Sequence, residues 1–347
     1  MNFFVGHRFS VTFSGIILAA LLFLAPQAGA QTAEQQRKKS CIEQAMQLMT
    51  KQSLRQTVNR LADPQLKGRE SSEEEIFLAR RVVTDAFITS GVKMYGQAYM
   101  YGFHYWVKDS KVLGVNVIGY IPADSSASGA KTVVIGAHYD HLGVLGGRIY
   151  PGADNNASGV AVLLELGKAL AYLRSEGIYP KCNICLVAFD AKEADLAGSR
   201  MFLSQAVVRP QDISLMINLD QIGTTLAPPE RAKTDGLLPK NYLLFLGMQD
   251  IPEDTRAAFT EAETAEEPIV LDFTYYGNSQ INNLLFKMGD QYPFSQAGIP
   301  AFAITSGLHK YTNKTTDTPD IINFNAMTER CRLILRALLH IAQITTD

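Results

Sequence analysis

The stretch Thr132-Val-Val-Ile-Gly-Ala-His138-Tyr-Asp140 decides the fold class of this chain. It opens with a mostly apolar run, which is typical of a strand buried on both faces of a parallel sheet. The run ends in a histidine and an aspartate, side chains that bind metals and move protons. A buried strand with such an ending is expected to deliver these side chains to the carboxyl edge of an α/β sheet, where ligands bind in this fold class.

Alternating strand and helix patterns surround this stretch on both sides. They predict a three-layer α/β/α fold, with a mostly parallel mixed sheet and helices on both faces. The least regular part, about 226–275, is expected to form an inserted lid or rim beside the site. The predicted helices include 34–61, 72–91, 157–173 and 324–344, and the predicted strands include 95–106, 111–121, 132–137, 182–189, 213–219 and 300–305.

The N-terminal residues 1–30 predict a secretory signal peptide. A positively charged start precedes an apolar run over 11–25, and Ala28-Gly29-Ala30 offers a cleavage site before a mature start near Gln31. An apolar run of about 15 residues is short for a membrane span, which needs roughly 20. We therefore expect a periplasmic or secreted protein with no membrane span after signal cleavage and a single domain over 31–347.

Composition narrows the classes of partner. Hydrophobic residues make up 47% of the chain, enough for a substantial core, and the formal net charge is -2. Without a basic field, the sequence gives no reason to expect a nucleic-acid partner. The oligomeric state is left open by the sequence.

Four segments each end a hydrophobic run with a potential metal ligand: His138, Asp154, Glu193 and Asp220. Taken singly, each has a structural explanation, since an aspartate such as Asp154 often caps a helix. Taken together, one imidazole and several carboxylates at separate strand ends are what a hydrolytic zinc site requires. Asp140, two residues after His138, is the candidate to receive the other ring N–H and so orient the imidazole.

The ordered motifs also resemble those of a known family. They are His138-Tyr-Asp140-His-Leu-Gly, Gly152-Ala-Asp154-Asn-Asn-Ala-Ser-Gly-Val, Glu193 ahead of Ala197-Gly198-Ser199, and Asn218-Leu-Asp220-Gln-Ile-Gly. In this order they resemble metallopeptidase family 28, the bacterial leucyl aminopeptidase type of co-catalytic zinc exopeptidase, over roughly 55–345. The resemblance implies the zinc-dependent exopeptidase fold and peptide substrates with a free N-terminus.

The resemblance also implies roles for individual residues. His138 and Asp220 would hold one Zn²⁺, Asp154 would bridge to a second, and Glu193 would bind the second ion. Asp140 would contact the ligands without binding a metal ion itself.

Two positions depart from the family pattern. The family has a glutamate general base immediately before the ligand Glu193, and this chain has Lys192 there. The family also has a histidine ligand four residues before the aspartate of its last motif. Counting back from Asp317 places Asn313 at that position, while His309 could replace the histidine only if the loop is rearranged.

These departures predict a degenerate or single-metal site. The carboxylates of Asp154, Glu193 and Asp220 carry three negative charges, which one Zn²⁺ and the ammonium of Lys192 balance. A second Zn²⁺ would leave two positive charges uncompensated at low dielectric. We therefore predict one Zn²⁺ at His138, Asp154 and Asp220, with two ions as the alternative.

Three functions stay open at this point. The first is a metal-dependent exopeptidase that hydrolyses peptides, and the second is an inactive family member that binds peptides or a partner protein through the former cleft. The third is a single-zinc acyltransferase like the glutaminyl cyclases, which is disfavoured because those enzymes keep the histidine that Asn313 replaces. Tyr292 and Phe294 are candidates for a substrate side-chain pocket.

Overall fold

The computed structural model describes residue 1 and residues 32–226, 241–264, 266 and 268–344. Residues Gln44–Thr345 form one compact unit. The expected signal peptide lies outside the described residues except for Met1, so its cleavage remains a prediction. Over the described ranges, no helix is both long and apolar enough to cross a bilayer.

A nine-stranded sheet organises the described part of the chain. Neighbours within β7, β4, β8 and β11 run parallel, whereas β3 is antiparallel to β7 and β9 is antiparallel to β11. This mostly parallel, mixed sheet confirms the predicted fold class. In spatial order the strands are β1 (Lys93–Met94), β3 (Ser110–Ile121), β7 (Asn183–Phe189), β4 (Thr132–His138), β8 (Ile213–Leu219), β11 (Ala301–Thr305), β9 (Tyr242–Leu246) and β10 (Val270–Asp272), with β2 (Met100–Val107) beside β3 and a separate hairpin of β5 (Val144–Leu145) and β6 (Arg148–Ile149).

The helices follow the predicted pattern with one division. The helix predicted over 34–61 is two helices, because Thr50 and Ser53 form a capping box that starts a new helix. The helices are α1 (32–48), α2 (Lys51–Leu61), α3 (Ile76–Ser90), α4 (Gly159–Ser175), α5 (Ala197–Ser204), α6 (Glu253–Glu261), α7 (Ser279–Phe286), α8 (Gln291–Gln296) and α9 (Phe324–Ile341).

Helices cover both faces of the central strands. On one face Val187 of β7 belongs to a buried cluster with Phe202 of α5 and Phe294 of α8. The next residue back, Leu186, points to the opposite face, where a Cβ added to Gly167 of α4 would lie 2.9 Å from its Cδ1. The core therefore consists of two apolar layers separated by the sheet.

The parallel strands bring the candidate ligands to one edge. His138 is the last residue of β4, Asp220 directly follows β8, and Glu193 lies four residues after β7. Carboxyl ends of parallel neighbours meet at the same edge of a sheet. Asp154 lies in the single helical turn Ala153–Ser158 that leads into α4.

The segment expected to be a lid contributes to the sheet. Its described part supplies β9, α6 and β10, which extend the sheet beyond β11. Leu246 at the end of β9 lines the cleft next to the candidate ligands. Residues 227–240 of this segment lie outside the described residues.

Candidate metal centre

His138 and Asp220 form an open pair of ligand atoms. His138 is fully buried, and its Nε2 lies 3.8 Å from Oδ1 of Asp220. Neither of these two buried atoms has a hydrogen-bond partner among the described residues, which is rare in folded proteins. Two ligand atoms that are each about 2 Å from one zinc ion lie roughly 3–4 Å apart. The pair therefore fits a shared divalent cation.

Asp140 supports this pair through its backbone. The ring Nδ1 of His138 donates to the carbonyl oxygen of Asp140 at 3.0 Å, while the carboxylate oxygen is 3.6 Å away. The Asp140 carboxylate instead accepts the backbone N–H groups of Lys192 at 3.0 Å and Glu193 at 3.1 Å. The carbonyl thus fixes the imidazole, and the carboxylate fixes the loop that carries the next two site residues.

The electrostatics of the pair favour a charged His138 when no metal is bound. Burial and the nearby Lys192 would lower the pKa of His138, but Asp140 and Asp220 outweigh them and raise it to about 10. Burial would raise the pKa of Asp220, but His138 and Lys192 lower it below its usual value. A divalent cation must therefore displace the proton of His138 when it binds.

Asp154 and His309 form a second, closed pair. Oδ1 of Asp154 accepts the backbone N–H of Gly223 at 2.7 Å, and Oδ2 lies 2.9 Å from Nε2 of His309. Nδ1 of His309 accepts the backbone N–H of Tyr311 at 3.2 Å. The neutral ring therefore carries its proton on Nε2 and donates it to Asp154.

Asn313 lines the cleft with Asp220 and Lys192, and its assignment as a metal ligand stays a prediction. Its backbone is in the left-handed region at φ 58, and its Oδ1 accepts a hydrogen bond from the side chain of Asn155 at 2.7 Å. His309 contacts Asp154 instead, because the loop turns back on itself through a hydrogen bond from the His309 N–H to the Thr312 hydroxyl at 3.1 Å. Counting from the last motif could not find this turn.

Lys192 occupies the acidic side of the cleft. Its Nζ lies 3.0 Å from Oε1 of Glu193, and only 12% of its side chain is exposed. Burial would lower the pKa of Lys192, but the charges of Glu193 and Asp220 outweigh burial and hold the pKa above its usual value. Lys192 is therefore a charged partner of Glu193, as the sequence predicted.

Three further ionisable residues lie close to these pairs. His141 is buried with neither ring nitrogen hydrogen-bonded among the described residues, and its Nδ1 is 4.0 Å from Oε1 of Glu193. Asp290 is also buried without a hydrogen bond in that part of the chain, and burial raises its pKa to about 6. Asp317 accepts the backbone N–H groups of Asp154 and Asn155 at 2.8 and 3.0 Å. None of the three was predicted from the sequence to bind the metal.

The proposed substrate role of Phe294 is wrong. Its side chain is fully buried between Phe189 and Phe202, with ring centroids 6.2 and 5.8 Å away. Tyr292 packs against Phe286 and is not among the residues that line the cleft. The cleft is lined by apolar Leu246, Leu285, Met288 and Leu308 and by polar residues that include Asn155, Lys192, Asp220, Gln221 and Thr312.

The donors fit a metal only as two pairs. Over the described ranges, no group of three or more His, Cys, Asp or Glu side chains is arranged to hold a metal ion. The open pair has the donor types and spacing of a zinc site.

The sequence of this chain is similar to those of known peptidases. The sequence profile of peptidase family M28 matches residues 116–338. Leucine aminopeptidase 1 of Coccidioides posadasii (strain C735) is 25% identical over 229 residues, which cover 63% of this chain and 54% of that protein. This chain therefore spans about half the length of the curated relatives it matches.

Solved structures share the fold at low sequence identity. The LapA aminopeptidase of Legionella pneumophila is 16% identical with a TM-score of 0.62, covering 88% of this chain and 75% of that chain. The glutaminyl cyclase of Porphyromonas gingivalis is 17% identical with a TM-score of 0.62, covering 83% and 97%. The family profile covers more than half of the sequence and spans every candidate ligand, and the chain belongs to peptidase family M28.

Proposed function

We propose that this protein is a zinc-dependent exopeptidase of the aminopeptidase type that works with one bound metal ion. The observation that carries the proposal is the open pair, in which two buried ligand atoms lie 3.8 Å apart without hydrogen bonds in the described structure. Membership of a peptidase family and similarity to leucine aminopeptidase 1 support the reaction class.

His138 and Asp220 would hold the ion, with Asp154 as the third ligand. When bound, Zn²⁺ supplies Lewis-acid chemistry that polarises a peptide carbonyl and lowers the pKa of water. The carbonyl of Asp140 keeps the proton of His138 on Nδ1, which leaves Nε2 free to face the ion. Asp317 holds the backbone on both sides of the Asp154–Asn155 peptide and so fixes the third ligand.

The family has a glutamate that accepts a proton at the position of Lys192, whereas a charged lysine can only donate one. Because its pKa is raised, its ammonium stays charged and cannot take a proton from water. It can instead donate a hydrogen bond to the oxygen that becomes negative as the peptide bond is attacked. Loss of a general base typically lowers the rate by a factor on the order of 10²–10⁴, so we expect slow turnover.

Glu193 is the carboxylate best placed to take over proton transfer. Asp190 is fully buried and bound to Arg80 and to the hydroxyl of Tyr139, so substrate cannot reach it. Asp195 points into solvent with 89% of its side chain exposed. Glu193 is 25% exposed and adjoins the cleft through its ion pair with Lys192.

The cleft supports a preference for apolar N-terminal residues. Leu246, Leu285, Met288 and Leu308 are apolar residues that line the same cleft as Asp220 and Lys192. Burying one leucine-sized side chain against such residues contributes about 1.5–3 kcal/mol. We therefore propose peptides with leucine-like N-terminal residues as substrates.

The second candidate is a binding protein without catalysis. The ion pair of Lys192 with Glu193 favours it, because it fills the place where the family pattern has a second metal and a base. The similarity to a glutaminyl cyclase concerns the fold, so N-terminal glutamine cyclisation is included as a third assay.

Metal content and turnover separate these candidates. We expect one zinc ion per chain and slow hydrolysis of leucine p-nitroanilide that a chelator abolishes. Wild-type turnover no greater than that of the His138→Ala variant would favour the binding function. Two fully occupied zinc sites would contradict the single-metal site, and cyclisation of glutaminyl peptides without hydrolysis would contradict the peptidase.

We also propose that the protein is exported after cleavage of residues 1–30. The apolar run and the small-residue site before Gln31 support this. N-terminal sequencing of the mature protein should start near Gln31, and a retained Met1 would contradict it.

A further inference from the structure

Arg69 is a fully buried cation whose hydrogen bonds all go to backbone carbonyls. Its Nε donates to the carbonyl of Tyr139 at 2.9 Å, and its Nη2 donates to the carbonyl of Gly152 at 3.0 Å. Its Nη1 donates to the carbonyls of Pro151 at 2.6 Å and Leu61 at 2.5 Å. One guanidinium therefore satisfies four carbonyl oxygens that belong to three separate segments.

Two of these segments carry the candidate ligands. Tyr139 lies between His138 and Asp140, and Gly152 lies two residues before Asp154. The backbone of Arg69 adds a further contact, because its carbonyl accepts the N–H of His141 at 3.0 Å. Loop A (138–141) and loop B (151–154) thus meet at the same guanidinium.

The backbone around Arg69 is shaped for this position. Lys67, Gly68 and Arg69 all have positive φ angles, of 44, 74 and 55. A Cβ on Gly68 would lie 2.5 Å from the carbonyl oxygen of Tyr150, so only glycine lets the turn approach loop B this closely. The turn therefore lies directly against the segment that leads into loop B.

The charge of Arg69 persists in the folded protein. Burial lowers its pKa to about 10, while Asp317 and Asp140 oppose this effect. At neutral pH the guanidinium is therefore charged and donates from a rigid planar fork. A lysine has no such fork and could not reach four carbonyls with fixed geometry, and buried carbonyls left without donors are destabilising.

We propose that Arg69 is a positioning residue for the metal centre, which holds loop A against loop B so that His138 and Asp154 can reach one cation. It acts through the backbone of both loops and touches neither metal nor substrate. The proposal rests on the proposed function only for its metal readout, since the loop contacts exist without metal.

The first test compares Arg69→Lys with a matched control. Arg336→Lys is the control, because the Arg336 Nε also donates to a backbone carbonyl, that of Ala262, at 2.7 Å. Zinc affinity is measured by competition with a chromogenic chelator well below the unfolding temperature. We expect Arg69→Lys to weaken binding about 10–100-fold, as loss of an outer-shell partner does, and to alter the visible absorption of bound Co²⁺. Arg336→Lys should change neither.

If Arg69 contributes only to the stability of the fold, the first test gives a different result. Arg69→Lys would then lower the unfolding temperature but leave zinc affinity and the Co²⁺ spectrum within error of the wild type. That outcome would overturn the proposal.

The second test needs no metal. Amide hydrogen exchange of the metal-free protein is followed at Tyr139 and His141 in loop A and at Ala153 and Asp154 in loop B, whose N–H groups are all hydrogen-bonded. In the wild type, the two loops should open with the same free energy, because one residue ties them together. In Arg69→Lys, both should exchange faster, and in Arg336→Lys neither should.

The two tests separate failure of this inference from failure of the proposed function. Wild-type protein that binds no zinc contradicts the metal centre, and the exchange experiment then decides the role of Arg69 alone. Loops that open with clearly different free energies in the wild type overturn the positioning role, even if Arg69→Lys does not fold.

Discussion

The two halves of the candidate centre differ in how their ligand atoms are satisfied. In the open pair, His138 Nε2 and Asp220 Oδ1 face each other at 3.8 Å without hydrogen bonds among the described residues. In the closed pair, both carboxylate oxygens of Asp154 are occupied, one by the N–H of Gly223 and one by His309 at 2.9 Å. The open pair therefore leaves buried polar atoms without hydrogen bonds in the described structure, and the closed pair does not.

Lys192 distinguishes this centre from the family pattern. Its ammonium binds Glu193 at 3.0 Å, so the carboxylate expected to bind a second ion is already paired with a cation. A second ion beside Lys192 would add charge where charge is already balanced. We therefore expect the charge of Lys192 to limit the centre to one ion.

The largest expected effect comes from removing the open pair. His138→Ala should abolish stoichiometric zinc binding and hydrolysis, because the carboxylates of Asp220 and Asp154 without the imidazole cannot hold the ion against water. Equilibrium dialysis with zinc and turnover of leucine p-nitroanilide measure this. Zinc binding that survives in His138→Ala would place the ion at the closed pair, and the open pair would then not be the metal site.

Lys192→Glu should give the next largest effect. The change removes the cation, frees Glu193 and restores a carboxylate at the general-base position, so we expect turnover to rise about 10²–10⁴-fold and a second zinc ion to bind. Lys192→Met is the matched control, since it removes the charge without adding a base. It should bind a second ion without the increase in rate, and equal rates in both variants would contradict the role of the carboxylate.

His309→Ala should have an intermediate effect. In the single-metal site His309 orients Asp154, so we expect zinc affinity to fall about 10–100-fold. Asn313→Ala is the comparison, because Asn313 bonds only to Asn155 among the contacts described above. If Asn313→Ala weakens zinc binding more than His309→Ala does, the loop assignment made here is wrong.

The smallest effect concerns stability and pH. Burial raises the pKa of Asp290 to about 6 in the folded protein. A carboxyl with a raised pKa binds its proton more tightly when folded, so its contribution to stability is lost as pH rises from about 4 through 6. Asp290→Asn should therefore stabilise the metal-free protein by on the order of 2 kcal/mol at pH 7 and have little effect at pH 4.

Urea unfolding at the two pH values measures the Asp290→Asn difference. A stabilisation that is equal at both pH values would show that the ionisation of Asp290 is not its cause.

Sequence patterns placed His138 and Asp220 at strand ends because strand ends are encoded locally. The apolar run of β4 ends at His138 and that of β8 ends before Asp220, and parallel pairing takes both to one edge. The charged state of Lys192 also followed from its acidic neighbours in the motif order. The division of the first helix at Thr50 was missed, although its capping pattern is local and could have been recognised.

The sequence by itself determined the α/β class, the peptidase family and the edge at which the candidate ligands meet, because side-chain periodicity and strand direction follow from neighbouring residues. Only the tertiary structure placed His309 rather than Asn313 against Asp154, turned Phe294 into the core and brought both ligand loops to Arg69. These outcomes depend on the path of loops and on contacts between residues far apart in the chain, such as Asp154 with His309. No local pattern encodes that path, since loop geometry is set by the groups against which the loop packs.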